Sequence, residues 1–316
     1  MKKILSFFIV SMLFYFLFFT QKTYLIKGST MGTTFSIKLE DTSLFNFYYV
    51  RYKSIKELER INLLFSTYIS DSEISKFNDQ VINTPILVSD EFYKMIVLSK
   101  QIYEITKGAW DPTIKPLIDR WGFSEKNRVF LVPTKDELTE LHSYIGLENI
   151  EILDDHILQK KISLTLDFSS FAKGYAVDVL TNLIKDRGIL AGLVEIGGEI
   201  RVYGQKSNNR KWTIGINTPT SSSSKSSIAK TIELENEAIA TSGDYRNFKE
   251  YDGVRYSHII DPRTGYPVTH NLNSVSVIAP TCIEADVFAT AFLVLGKAET
   301  NKLLKQLTHL KVVFLD

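Results

Sequence analysis

One cysteine, Cys282, occurs in 316 residues. A single thiol excludes an internal disulfide framework, a thiolate zinc cluster and an iron–sulfur site. It leaves the redox compartment open, because a large exported protein can do without disulfides. An excess of charge is missing as well: 37 Lys and Arg stand against 36 Asp and Glu, a formal net charge of +1. Leaving out the first 20 residues, which hold Lys2 and Lys3, gives 35 − 36 = −1. Such a balance exerts no long-range pull on nucleic acid, whose binding rests on neutralising phosphates. The GxxxxGK[ST] phosphate loop, the HExxH zinc motif and the GxSxG nucleophile elbow are all absent. From Gly28 onward there is no repeat, no heptad pattern and no second apolar run able to span a membrane. The full sequence is 44% hydrophobic and 23% charged, the balance of a folded globular chain with a sizeable core.

The N-terminus is set apart from that chain. Lys2 and Lys3 precede a 16-residue apolar run from Ile4 to Phe19. A basic start before such a run is an export signal. The run is long for a cleavable signal and slightly short of the roughly 20 residues of a full span. No A-x-A-like site and no cysteine lies close behind it, so a lipoprotein signal is excluded. We expect residues 1–26 to be a signal peptide or uncleaved membrane anchor, with the basic end in the cytoplasm. Residues 27–316 are expected to form a single domain outside the membrane.

Within that domain, Thr33 to Leu39 alternates as a strand. Phe92, Met95, Ile96, Ser99, Ile102 and Ile105 mark one helix face, with Ser89 placed as N-cap and Gly108 just past the end. Thr134 and Glu137 have capping-box spacing before a helix expected to end near Gly146. Asn149–Leu153 and Leu158–Leu166 read as two strands around an Asp154-Asp155 turn. A helix is expected from Phe171 to Arg187, ended by Gly188. Strands follow at Gly192–Ile196, Glu199–Tyr203, Lys211–Ile216, Lys230–Leu234 and Ser274–Ala279. Two helices and a last strand, Leu310–Phe314, close the chain. Ser221 to Ser227 reads as a polar hairpin loop. Strands cluster between helices without strict β-α-β alternation, so the fold class is α+β.

Four groups of residues could carry chemistry. Asp286 and Thr290 stand four apart in a helical run and so share a face. A carboxylate with a hydroxyl is a minimal ligand set for Mg²⁺, which keeps several waters and takes few protein ligands. An acidic residue that simply charges a helix start, with a packing threonine, also explains the pair. Asp167 is expected at a strand-to-helix junction, followed by Ser169-Ser170, where backbone N–H groups favour phosphate and Lys173 lies one turn inside. An ordinary N-cap gives the same pattern. His258 stands just before the Asp261-Pro262-Arg263-Thr264-Gly265 turn signal, as either a general base or a structural histidine. Tyr68, Trp110 and Trp121 are loop aromatics, able to stack on a planar ring or to cover the core. His142, His156, His270 and His309 lack paired context and read as surface or packing residues.

The order of these signals is more specific than any one of them. Gly28-Ser29-Thr30-Met31-Gly32-Thr33, Phe65-Ser66-Thr67-Tyr68 and Gly108 to Thr113 come first. Pro116-Leu117, Trp121-Gly122-Phe123, Leu166-Asp167, Ala172 to Asp178 and Ile196-Gly197-Gly198 follow. Ala240 to Tyr245, His258 to Pro267, Ala285-Asp286 and Ala289-Thr290-Ala291 complete the series. In this the chain resembles the FAD:protein FMN transferase family, also called ApbE. The resemblance implies a single α+β catalytic domain with mostly antiparallel sheets and flanking helices. It implies an enzyme that splits FAD, passes FMN to a Thr or Ser hydroxyl of an acceptor protein, and releases AMP with the help of Mg²⁺. By the same resemblance Asp286, Thr290 and the backbone carbonyl near Ser170 would hold the metal. Met31, Tyr68, Ala109, Trp110, Asp111, Asp167, Lys173 and Ile260 would line the FAD site, and His258 would deprotonate the acceptor hydroxyl. It implies, further, a membrane redox subunit as acceptor and a place on the outer side of a bacterial inner membrane. Trp110 stands where the family usually has Phe, and Glu195 and Glu199 stand where Asn and Asp are common. Two alternatives remain at this level: a Mg²⁺-dependent FAD pyrophosphatase, and a non-catalytic FAD-binding protein.

Overall fold

The computed structural model describes residues 22–123, 131–206, 209–219, 227–244 and 248–316. The N-terminal apolar run, Ser221 to Ser226 and Tyr245 lie outside the described residues. The frame is a seven-stranded sheet in the order β1-β2-β6-β7-β10-β13-β14. Its strands are β1 (Lys22–Thr30), β2 (Thr33–Thr42), β6 (Ala191–Ile196), β7 (Glu199–Tyr203), β10 (Ala238–Gly243), β13 (Ser274–Ala279) and β14 (Lys311–Leu315). Every neighbouring pair is antiparallel. β1 starts at Lys22, ahead of the expected domain start at residue 27.

Both faces of the sheet are covered, and alternation along the strands explains how. Val194, Ala238, Ala240, Val275 and Val277 point into the main core. There they meet α1 (Leu44–Phe65), α3 (Asp90–Ile105), α6 (Ala172–Asp186) and α7 (Cys282–Leu303). Val202, Ile239 and Ile278 point the other way, into a smaller core. It is closed by the hairpin of β8 (Trp212–Asn217) and β9 (Ile228–Leu234), whose Trp212 is 1% exposed. A three-stranded sheet, β3-β5-β4 (Ile86–Leu87, Ile157–Lys160, Ile150–Asp154), and the short α2 (Glu73–Asp79) flank the main core. A third cluster joins α4 (Lys115–Arg120) and α5 (Lys135–His142) through Leu117, Trp121 and Leu138 to Ile260. The two-stranded β11–β12 ribbon (Phe248–Tyr251, Val254–Ser257) leads directly into His258.

The local signals mostly act as the sequence indicates. Ser89 Oγ accepts from Phe92 N at 3.2 Å, capping α3. The Thr134–Glu137 capping box closes reciprocally. Gly188 follows α6 at φ +80°, in the left-handed region that favours glycine. The closing pair of helices is a single run broken at Gly296 (φ 69°, ψ 172°).

Three expectations need correction. Ile105, expected on the buried face, is 39% exposed, because α3 ends there. The helix expected to reach Gly146 stops at His142, where the Ser143 N–H bonds the Glu140 carbonyl instead of continuing the helix. The second strand of the Asp154-Asp155 hairpin ends at Lys160, not Leu166. Asn78 replaces the missing ladder: its Oδ1 accepts from Leu166 N at 2.7 Å, and its Nδ2 donates to Leu166 O at 2.9 Å. Asp167 is thus delivered by a pinned loop rather than by a strand end.

Candidate active site

Two helix N-termini meet at Asp286. α7 begins at Cys282, and Asp178 of α6 accepts from both Cys282 N and Ile283 N at 2.9 Å. Arg201 of β7 holds the Asp178 carboxylate at 2.6 Å. α7 is thus capped by a side chain from another helix, which fixes its start against α6. One turn on, Asp286 Oδ2 accepts from Gly174 N, in the first turn of α6, at 3.0 Å. The positive end of α6 therefore faces this carboxylate. Gly174 permits the approach: a Cβ there would lie 2.5 Å from the Cys282 carbonyl oxygen and 2.9 Å from Asp286 Cβ.

Lys173 stands beside this junction. Its ammonium lies 3.5 Å from Glu199 Oε1 and 3.8 Å from Asp286 Oδ2. It also donates to Ser169 O at 3.4 Å. Burial opposes the Lys173 charge, but the carboxylates of Asp286 and Glu199 outweigh it and hold the ammonium above its ordinary pKa. Glu199 is pushed up, by burial first and by the neighbouring Asp286 second. Asp286 is pushed up by burial, against the pull of Lys173 and the Gly174 N–H. Thr290 Oγ1 shares a 3.0 Å hydrogen bond with Ser242 of β10 and lies 3.4 Å from the Asp286 carbonyl.

The loop after α3 supplies the opposite wall. Gly108, at φ +75°, turns the chain so that Ala109, Trp110 and Asp111 run into the cleft. Trp110 is 3% exposed, and its Nε1 donates to Ser170 Oγ at 3.1 Å. Asp111 accepts from Thr113 N and Thr113 Oγ1, while burial pushes its carboxyl up to about 6. Asp167 N donates to Pro112 O at 2.8 Å, joining this loop to the Asp167–Ser170 segment. Asp167 Oδ1 accepts from Ser169 N at 2.8 Å, so its carboxylate shapes a turn while the N-cap position of α6 falls to Phe171. His258 leaves β12 with its ring 6.2 Å from that of Phe123, edge to face. Beyond it, the Ile260–Pro267 bridge and the Gly265 N to Asp261 O bond close the expected turn.

All the expected site residues come together around two adjoining cavities. One, of about 360 Å³, is lined by Ala109, Trp110, Asp111, Ser170, His258, Ile260, Asp286 and Thr290. The other, of about 590 Å³, is lined by Met31 and Tyr68. Asp167, Ser169 and Lys173 line both, so the two form one cleft. Tyr68 is 97% exposed at its mouth, whereas Trp121 is buried, with Nε1 bonded to Gly265 O, and serves the core. The other histidines have structural partners: His142 bonds Leu138 O and Pro262 O, His270 bonds Leu293 O, and His156 and His309 meet Asp90 and Glu284.

Two residues were missed as site members. Asp178 orients the metal-candidate helix, and its place in the Ala172–Asp178 motif was the available signal. Glu199 lines the cleft at 5% exposure, and its Oε2 is buried without a hydrogen-bond partner. An orphaned carboxylate oxygen beside a second buried carboxylate marks a place where added positive charge would be welcome. Among the described residues no group of three or more His, Cys, Asp or Glu could hold a metal. A cation here would meet hard oxygen donors and few carboxylates, which fits Mg²⁺ and not zinc.

Comparison with known proteins gives one answer throughout. The ApbE family model matches residues 31–314. A protein of Vibrio cholerae named FAD:protein FMN transferase is 39% identical over 286 residues, covering 88% of this chain and 85% of its own. Its Escherichia coli K12 namesake is 33% identical over 285 residues, with coverage of 89% and 81%. The apo crystal structure of the Pseudomonas stutzeri flavinyl transferase ApbE superposes with a TM-score of 0.83 at 32% identity, covering 94% of this chain and 92% of that one. On sequence and fold alike, the chain belongs to the ApbE family.

Proposed function

We propose that the chain is an FAD:protein FMN transferase, which moves FMN from FAD to a Thr or Ser hydroxyl of an acceptor protein and releases AMP. The observation that carries this reading is the single cleft in which Lys173, the Asp286–Thr290 pair and His258 face the same space. Asp286 and Thr290, with the backbone carbonyl of Ser170, would hold Mg²⁺, which when bound supplies positive charge to the phosphate oxygens. Lys173, kept charged by its two carboxylates, adds a fixed cation at the pyrophosphate. The wall from Ala109 to Asp111, with Met31, Tyr68 and Ile260, holds FAD in place for an in-line attack.

The acceptor hydroxyl oxygen attacks the phosphorus on the FMN side. The bond from that phosphorus to the bridging oxygen breaks, and AMP leaves with the bridging oxygen. The hydroxyl proton passes to a ring nitrogen of His258, because an alcohol is a poor nucleophile at its own pKa. Membrane redox subunits are the acceptors we propose. We place the domain on the extracytoplasmic side of a bacterial inner membrane, held by the N-terminal apolar run. Among the described residues no helix is long and apolar enough to cross a membrane.

The test is incubation with FAD, Mg²⁺ and detergent-solubilised membrane proteins, followed by flavin fluorescence on a denaturing gel. The expected result is a fluorescent acceptor band with wild type and none with Asp286→Ala. With His258→Ala, FAD binding persists and the band is lost. Full activity in Asp286→Ala would contradict the metal assignment, and lost FAD binding in His258→Ala would make that residue a flavin contact.

A further inference from the structure

α1 carries two apolar stripes on opposite sides. Val50, Ser54, Leu58, Ile61 and Phe65 are buried against the core. Phe45, Tyr48, Tyr49 and Tyr52 recur at i, i+3, i+4 and i+7, which also places them on one face. This second face is exposed, at 53%, 53%, 38% and 62%. A solvent-facing helix side normally carries charged and polar residues; a run of four aromatics marks a surface that meets something.

The stripe occupies only the N-terminal half of α1, and its surroundings are specific. Lys22, where β1 begins, pairs with Thr42, immediately before the helix. Tyr24 of β1 stacks on Phe47 at 5.1 Å. Ala191 pairs with Glu40 on the other side of β2, which brings Leu190, 84% exposed, to the same rim. Arg187 lies over the rings of Phe45 and Tyr49 and donates to Asn46 Oδ1 at 3.0 Å. Lys22 and Arg51 are exposed around this rim, with Asp41 and Asp186 as the acidic members. Tyrosines with basic side chains at the edge are the composition found at lipid headgroups, where an amphipathic ring has one wet end. The sequence points to the occupant: the 16-residue apolar run Ile4–Phe19 ends three residues before Lys22, so a membrane that held the run would be within a short reach of this rim.

We propose that the rim of Phe45, Tyr48, Tyr49, Tyr52 and Leu190 rests on the phospholipid surface of the membrane that holds the N-terminal run. This rests on the reading of that run as an anchor. It has a consequence for the substrate. β1 and α1 both run from this rim to the cleft: Met31 and Gly32 follow β1, Ser66 to Tyr68 follow α1, and all five line the cavity. Nine strand residues and 22 helical residues each span about 30 Å. The cleft therefore lies about 30 Å along the molecule from the rim, which sets the farthest height above the bilayer at which it can meet an acceptor hydroxyl.

The test uses the full chain with a spin label at Tyr52→Cys, and at Asp71→Cys beyond the cleft end of α1 as reference. The native Cys282 is fully buried and stays unlabelled. The protein is reconstituted in vesicles of equal parts phosphatidylethanolamine and phosphatidylglycerol. At position 52 the collision rate with a polar nickel reagent is expected to fall severalfold relative to position 71, and that with oxygen to rise. A label at Leu190→Cys is expected to follow position 52. If the protein floats with the vesicles while position 52 is as wet as position 71, the inference is wrong and the anchor stands. If the protein does not float, the anchor reading fails and the inference with it. Shielding at position 52 that appears only when solubilised membrane proteins are added would make the rim a protein-docking surface and overturn the lipid assignment.

Discussion

Gly174→Ala separates site geometry from stability. The added Cβ would sit 2.5 Å from the Cys282 carbonyl oxygen, where ordinary contact begins at 3.4 Å. The obstacle is backbone at the capped start of α7, so it cannot rotate away. Overpacking of this kind costs about 1–3 kcal/mol, while replacing a helical glycine by alanine returns up to about 1 kcal/mol. The net loss of stability is about 0–2 kcal/mol, a few degrees in Tm for a chain of this size. The effect on the reaction is larger. Relief of the clash moves α6 from α7 by about 1 Å, breaks the Gly174 N to Asp286 Oδ2 bond and shifts the carboxylate, and a misplacement of that size costs about 10²-fold in rate. Gly188→Ala is the control. Gly188 has φ +80° and nothing within 4 Å of the added Cβ, so it loses about 1–2 kcal/mol to backbone strain with unchanged turnover. The assay is Mg²⁺-dependent AMP release beside a thermal melt. A Gly174→Ala enzyme with wild-type turnover would refute the idea that the α6–α7 contact sets the position of Asp286.

Other substitutions probe the remaining parts. Burial holds the folded Asp111 carboxyl at about 6 against an ordinary 3.8, so the protonated form favours folding. Its contribution is full below about pH 4 and lost as pH rises through about 6, a change of about 3 kcal/mol. Asp111→Asn keeps the acceptor for Thr113 and is expected to remove that slope, read as the difference from wild type in urea unfolding at about pH 4 and about pH 7. Tyr68→Ala, at a ring 97% exposed, is expected to leave Tm unchanged while weakening FAD binding about 2- to 10-fold by titration calorimetry. Asp178→Ala strands Arg201 and two helix N–H groups, and is expected to cost about 3–5 kcal/mol in a denaturant melt.

Much of this was legible in the sequence, for identifiable reasons. Strands with one apolar face, such as β2, and helices with local caps, such as α3 and α5, carry their signals within a few residues. α1 was not legible. Its two apolar stripes on opposite sides blur a single helical period, and its aromatic residues have only middling helix propensity. β10 was missed because, apart from Ile239, Ala238-Ile239-Ala240-Thr241-Ser242-Gly243 is built of small residues, and it lacks the bulk of a typical strand. The individual site residues were found by motif order, but the device that assembles them was not. Asp178 caps a helix 104 positions away, and Gly174 donates to a carboxylate 112 positions away. No local pattern reports such contacts. Leu166 illustrates the same limit, since Asn78 pins it in place of the strand its apolar neighbours imitate.

On the proposed function, the cleft transfers FMN to protein and does not release it to water. The most direct measurement follows both products together. Purified enzyme is given FAD, Mg²⁺ and solubilised membrane proteins, AMP is quantified, and the acceptor is examined by intact mass. The expected result is one AMP for each acceptor that gains the mass of FMN less one water, with both signals lost on chelation and in Asp286→Ala. AMP accompanied only by free FMN would contradict transfer and make the enzyme a hydrolase. FAD bound with no AMP at all would contradict catalysis.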